Sequence, residues 1–242
     1  MAARTLPLFL TDLVHASGSV IPLDEDTSRH VAQVLRMQVG ERLELTDGKG
    51  SRMEAELTVS HKRNSAVRIL TQESMPASAR QVTIAISFTK HSGRMEWFLE
   101  KATELGVYSV LPLMCARTEK QKLRPERLRA VMVSALLQSR QYYLPNLEQP
   151  ISPEDLLEDP SQLSLIAHCG GGEKASMHTI LNTTHQKMRI MIGPEGDFTD
   201  AEIDQCKKKG FIPVSLGANR LRTETAGIAA AVLLCINGTE SV

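Results

Sequence analysis

Two loops hold the residues best placed to do chemistry in this chain. The first is Gly193-Pro194-Glu195-Gly196-Asp197. The second is Leu216-Gly217-Ala218-Asn219-Arg220-Leu221-Arg222-Thr223-Glu224. Both combine carboxylates with glycines, whose missing Cβ lets the backbone approach a ligand, and the second adds the guanidinium groups of Arg220 and Arg222. Each follows a short apolar run and precedes a helix-like stretch, and two strand–loop–helix units in tandem imply parallel strands. Loops at the carboxyl ends of neighbouring parallel strands are where open α/β sheets bind ligands. The pattern points to one shared small-molecule pocket; the competing reading is a pair of βα turns with no ligand.

The elements that must position these loops follow from the same stretch. Arg189, Ile190, Met191 and Ile192 form a short buried strand, stopped by Gly193-Pro194 because proline has no N–H for a ladder. Thr199 with Glu202 three residues on forms a capping box, and Lys207, Lys208 and Lys209 before Gly210 suit a helix C-terminus. A second strand spans 211–216, and Thr223 is the expected cap of a helix running to Ile236 that is apolar almost all round and so predicted to be buried.

Upstream, 82–88 reads as a strand and Lys90 to Gly93 as its loop. An amphipathic helix follows over 94–105, with Met95, Phe98, Leu99, Ala102 and Leu105 at helical spacing, and then a strand over 107–113. Between Cys115 and Gln141 lie seven Lys/Arg against two Asp/Glu, on a helix with Leu128, Val131, Ala135 and Leu136 as its buried stripe. Such a run is either a phosphate-contacting face or a solvated one. Ser152-Pro153 opens a short predicted helix. A strand over 163–168 leads into Cys169-Gly170-Gly171-Gly172-Glu173-Lys174, a phosphate cradle or a simple turn. It is not a Walker A loop, and no GxGxxG occurs.

Residues 1–75 have a β texture, with strands near 20–23, 42–46, 52–59 and 66–70 and a hairpin signal at Asp47-Gly48. A short helix over 28–36 offers His30, Val31, Val34 and Leu35 as its apolar side. Nine Lys/Arg oppose ten Asp/Glu here, so any RNA contact needs its charges sorted onto one face. Residues 76–80 read as a linker, which sets the expected domains at 1–75 and 81–242. The net charge of +0 excludes a global basic field. The four cysteines form no CxxC pair and suggest reduced thiols and no metal. No signal peptide is visible at the start and no apolar run is long enough to span a bilayer, so the expected location is the cytoplasm, with no membrane partner.

Gly193-Pro194-Glu195-Gly196, a helix, and then Leu-Gly-x-x-x-Leu-Arg-Thr-Glu-Thr-Ala from Leu216 to Ala226 resemble the RsmE-type 16S rRNA uracil-N3 methyltransferases. These belong to the SPOUT, or α/β-knot, class. Arg94-Met95-Glu96-Trp97, the stretch from Lys101 to Val107, and His30-x-x-x-Val34-Leu35-Arg36 followed by Gly40 extend the likeness over both predicted domains. The resemblance implies an α/β fold: a trefoil-knot methyltransferase domain with a mainly parallel sheet flanked by helices, preceded by a small PUA-like β-barrel that binds RNA. It implies S-adenosyl-L-methionine (AdoMet) as cofactor, 16S rRNA within the assembled small subunit as substrate, and a homodimer.

Carried over residue by residue, the resemblance makes the glycine run the first of three cofactor loops, with His168 and Gly170. Gly193, Pro194, Glu195 and Gly196 come from the second loop, and Leu216, Gly217, Leu221, Arg222 and Thr223 from the third. Uracil N3 must lose a proton to attack a methyl group, so a base or an anion-stabilising group is required. Arg222 is the candidate to face the uracil anion or its phosphate, and Glu224 or Glu195 to assist deprotonation or orient the loop. An acid at a helix N-terminus also answers the dipole, which is the competing role for Glu224. Candidate RNA contacts are Arg36, Arg94, Arg117, Arg124 and Arg140. The sequence departs from the family pattern in three places. Asp197 replaces a glycine, Asn219-Arg220 replaces Arg-Ile, and Arg140-Gln141 replaces Gly-Arg in the segment after Gln138-Ser139. A non-catalytic RNA-binding protein that has lost methyl transfer is the main alternative, and a nucleotide phosphotransferase a third.

Overall fold

The structure, a computed structural model, describes residues 5–12, 14–119, 123–156, 161–181 and 185–236; Lys120 and Lys122 of the basic segment lie outside them. The chain divides into two compact units. The first is Met1–Ala77 with Leu136–Leu144, and the second is Ser78–Ala135 with Pro145–Val242. The boundary near residue 77 falls inside the stretch read as a linker.

The first unit contains β1 (Leu8–Leu10), β2 (Val20–Pro22), α1 (Glu25–Arg29), β3 (Arg42–Thr46), β4 (Ser51–Val59) and β5 (Ala66–Ser74). They form a five-stranded sheet in the order β1-β3-β4-β5-β2. All its pairings are antiparallel except that of β1 with β3. Alternation works as expected in β4, where Met53, Ala55 and Leu57 are buried and join Leu43, Leu45, Val67 and Ile69 in one apolar cluster. The hairpin between β3 and β4 is tied by Asp47, whose carboxylate accepts from the Lys49 and Ser51 N–H groups. The short helix differs from its expected form. After Arg29 it widens into a π turn over His30–Val34. That turn breaks the 3.6-residue spacing, so Val31 is fully buried while Val34 and Leu35 are exposed. His30 packs edge-on against Phe9, ring centres 5.5 Å apart, but is itself exposed and not part of the core.

Leu136–Leu144 lies far along the chain, yet it clusters with this unit because its backbone and side chains pair there. Gly50 N–H donates to the Tyr142 carbonyl, Leu144 N–H donates to Gly48, and the Arg140 guanidinium bonds Glu44 and the Leu6 carbonyl.

The second unit is an all-parallel, six-stranded sheet. Its strands are β6 (Gln81–Ser87), β7 (Ser109–Leu113), β8 (Asn146–Leu147), β9 (Gln162–Ala167), β10 (Lys187–Ile192) and β11 (Ile212–Val214), in the order β11-β9-β10-β6-β7-β8. Near-continuous burial of β6 and β7 is what a sheet covered on both faces requires. Its helices are α2 (Ser92–Glu104), α3 (Pro125–Gln138), α4 (Met177–Leu181), α5 (Asp200–Lys208) and α6 (Thr223–Ala231), the last extended by a π turn over Val232–Ile236. On one face Ala85, Ile166 and Met191 pack with Ile203 and Cys206 of α5. On the other, α6 meets α2 so closely that a Cβ on Gly227 would lie 2.6 Å from Phe98 and 2.8 Å from Ile86. The helix expected at Ser152-Pro153 is a turn over 153–155 among the described residues, with the Ser152 hydroxyl bonded to Asp155. The helix to Ile236 is buried along Gly227, Ala230, Ala231 and Leu234 but exposes Val232 and Ile236, so it is not covered all round as predicted.

Candidate functional site: a pocket of three loops

The site is set by strand order and register. β9 lies between β10 and β11, and Ala167 pairs with Ile192 on one side and Val214 on the other. The three strands therefore end level, and the loops that follow them meet at the carboxyl edge of the sheet. Between the loops lies a cavity of about 340 Å³, within the range of small-molecule sites.

Loop two, from Gly193 to Phe198, is the most constrained. The Thr223 hydroxyl donates to the Gly193 carbonyl at 3.0 Å, and Arg220 donates to the Glu195 carbonyl at 2.9 Å. Arg117 donates to the carbonyls of Gly196 at 2.7 Å and Phe198 at 3.4 Å. Asp197 stands at φ +61° and accepts from the N–H groups of Cys169 and Phe198. Gly193 needs its hydrogen: a Cβ there would meet the Phe198 ring at 3.1 Å. The loop passes into α5 through the predicted capping box, Thr199 with Glu202. Glu202 also accepts from the Ala116 N–H at 2.8 Å, tying in the loop after β7.

Thr223 does not cap α6. The N-cap is Arg222, with no side-chain cap bond, because the Thr223 hydroxyl is spent on Gly193.

In loop one, Lys174 donates to the His168 carbonyl at 2.6 Å. The His168 ring is buried, and neither of its nitrogens has a hydrogen-bond partner. Burial holds its pKa below the ordinary value, the Lys174 charge adds to the lowering, and Asp197 opposes it.

Of the residues named for the cofactor, His168, Gly193, Pro194, Glu195, Leu216, Gly217, Leu221 and Thr223 line the cavity. Gly170 and Gly196 are not among its lining residues. A Cβ on the first would lie 3.2 Å from His168 Nδ1, and one on the second 3.3 Å from Arg117 Cδ. Of the three catalytic candidates, Glu195 alone is at the cavity. Arg222 is exposed beside it. Glu224 is buried at the start of α6, where one oxygen lies 3.6 Å from Arg94 Nε and the other is unpartnered. The RNA candidates have different surroundings. Arg94 faces Glu224, Arg117 holds loop two, and Arg140 is paired with Glu44 in the first unit. Arg36, at φ +53°, and Arg124 are exposed. Arg127 of the basic segment forks onto Glu96 at 2.6 and 2.8 Å. Residues not named for the cofactor also line the cavity: Cys169 and Lys174, whose signal was position in the first loop, and Asp197, Asn219 and Arg220, which the sequence marked only as departures from the family pattern.

The cavity suits a cofactor of AdoMet's kind. It offers backbone from three loops for an adenosine and, in the His168 ring, buried polar atoms with no partner of their own. Parallel strands ending level under such a pocket define an α/β ligand-binding enzyme domain.

Comparison with known proteins makes this specific. The RNA methyltransferase domain family matches residues 76–235, and the RNA methyltransferase PUA domain family matches residues 23–70. Ribosomal RNA small subunit methyltransferase E of Rickettsia conorii is 31% identical over 218 residues, 89% of either chain. A Porphyromonas gingivalis crystal structure of a probable rRNA-methyltransferase is 37% identical, with a TM-score of 0.85, covering 93% of this chain and 95% of that one. Ribosomal RNA small subunit methyltransferase E of Neisseria gonorrhoeae, bound to S-adenosyl methionine, is 29% identical with a TM-score of 0.83, covering 94% and 96%. The chain belongs to this RNA methyltransferase family, with the SPOUT fold and a PUA-like first domain.

Proposed function

We propose that the chain transfers the methyl group of AdoMet to N3 of a uridine in the RNA of the small ribosomal subunit. The observation that carries the cofactor half is the cavity between three level strand ends, lined by the residues that match the family's cofactor loops. The relatives' names supply the ribosomal RNA, and the family resemblance supplies the uridine N3. AdoMet brings a methyl group already made electrophilic by its sulfonium charge. The chain's own part is to bind and orient it, and to manage the N3 proton of the uracil. Of the candidate bases, Glu195 lines the cavity and takes that proton. Arg222, exposed beside it, is the cation for the uracil anion or its phosphate. Glu224 acts one step back, in its buried pair with Arg94. The protein works in the cytoplasm as a homodimer, with exposed Val232 and Ile236 on the last helix as contact residues.

The test is transfer of labelled methyl from AdoMet to small subunits that lack the modification, with mapping of the labelled base. Label on N3 of one uridine is the expected result. AdoMet binding without transfer would point to a different RNA or assembly state, and neither binding nor transfer would overturn the enzyme reading in favour of an RNA-binding protein. Light scattering of the purified protein checks the dimer, which a monomer mass would exclude.

A further inference from the structure

We propose that Asp197 is a positioning residue of the cofactor pocket, a lock that fixes the 168–174 loop against the 193–198 loop before any ligand arrives. The proposal rests on the AdoMet reading above. Asp197 occupies the left-handed region at φ +61°, where side chains other than glycine, asparagine and aspartate are rarely tolerated. Its N–H donates to the Pro194 carbonyl at 2.9 Å and closes a tight turn. The carboxylate then serves two chain segments at once. Oδ1 accepts from the Phe198 N–H at 2.9 Å, within its own loop. Oδ2 accepts from the Cys169 N–H at 2.7 Å, a bond that spans 28 residues of sequence.

The rest of loop two is already held by Thr223, Arg220 and Arg117. Asp197 therefore transmits a fixed frame to loop one. What it fixes there matters for binding. Cys169 follows directly on His168, whose buried ring lines the cavity with both nitrogens unpartnered. Gly170 comes close enough that a Cβ on it would lie 3.2 Å from His168 Nδ1, so the path of this loop decides where the ring stands. A loop ordered in advance leaves less conformational entropy to lose on binding, and the benefit appears in cofactor affinity.

The experiment compares the wild-type protein with D197G and D197N. Glycine keeps the left-handed turn and removes both acceptors; asparagine keeps the turn and one side-chain oxygen. In titration calorimetry D197G is expected to raise the Kd for AdoMet about tenfold, and D197N by no more than about threefold. Thermal unfolding of D197G should stay near that of the wild type, because glycine relieves strain at this φ. In methyl-transfer assays the KM for AdoMet of D197G should rise in step with its Kd, since the lock acts on binding. Hydrogen exchange of the Cys169 amide in the ligand-free protein should quicken in D197G. Wild-type affinity in D197G with a released Cys169 amide would overturn the proposal. So would a D197G variant that loses binding together with cooperative unfolding, or D197N binding no better than D197G. If the wild type itself fails to bind AdoMet, the cofactor reading falls, and protection of the Cys169 amide still decides whether the lock exists.

Discussion

Asp197, in a pocket loop of the second unit, and Arg140, in the 136–144 segment of the first, both stand in the left-handed region, at φ +61° and +57°. At both positions the family pattern has glycine, which adopts that backbone without cost. In each, the side chain gained makes a bond that glycine cannot. Asp197 joins two loops at the rim of a cavity. Arg140 reaches Glu44, buried in β3, at 2.5 Å and the Leu6 carbonyl at 2.6 Å. The surroundings differ in kind. Glu44 is 2% exposed and also takes Arg52 and the Tyr142 hydroxyl, so it is the centre of a charged cluster that holds a sheet to a distant segment. The Asp197 bonds are made at the edge of a ligand site. The same backbone exception therefore serves stability in one place and binding in the other.

The largest effect should come from the centre of the charged cluster. Glu44→Ala removes the shared acceptor of two guanidiniums and a phenol. Because Arg52 and Arg140 are each more than a third exposed and can rehydrate, the expected loss is about 2–3 kcal/mol, below that of a fully buried pair. Urea unfolding reads it directly, and a loss no larger than that of a surface substitution would mean the cluster does not hold the sheet. The Arg140 position comes next. Arg140→Ala loses the ion pair and keeps the strained φ, whereas Arg140→Gly loses the pair but relaxes the backbone. Glycine should be the milder substitution by about 1 kcal/mol, the reverse of its usual ranking. Equal unfolding midpoints for the two would remove strain from the account. Neither variant should change AdoMet affinity, which sharpens the contrast with Asp197.

On the pocket side, Arg220→Ala should raise the Kd for AdoMet by roughly threefold. It loses an exposed guanidinium–carbonyl bond to loop two while Thr223 and Arg117 still hold that loop. A wild-type Kd would show that this bond, made by an arginine one place along from the family's, contributes nothing to the pocket.

Local features were legible in the sequence and long-range ones were not. The Thr199–Glu202 capping box, the strand–loop–helix order and the three loops depend on neighbours within a few residues, and they appear as read. Thr223 was misassigned as a cap because its hydroxyl goes to a carbonyl 30 residues back. Val34 and Leu35 were misplaced because a π turn shifts the face that helical spacing assigns. The membership of Leu136–Leu144 in the first unit rests on Glu44, 96 residues before Arg140, and no periodicity reports such a pair. Asp197 was visible as a departure from a pattern, but its role depends on an N–H in another loop.

The smallest effect should be a pH dependence that separates the pocket from the cluster. His168 is buried, and its pKa is held below the ordinary value by burial and then by Lys174, with Lys207 adding and Asp197 opposing. The unfolded chain, with a pKa near 6.5, takes up a proton more readily than the native one. The native state then binds fewer protons, so this contribution to stability is fully present above pH ~6.5 and is lost as pH falls through that value toward the lower folded pKa. Urea unfolding at about pH 7.5 and about pH 5.5 should show a fall in wild-type stability that is smaller in His168→Gln, with the other six histidines common to both proteins. In Glu44→Ala the fall should match the wild type, because the cluster around Glu44 contains no histidine among the partners it bonds. Equal slopes for wild type and His168→Gln would mean that the ring is hydrated in solution. It would then not be the dry, unpartnered wall that a preset cofactor pocket requires.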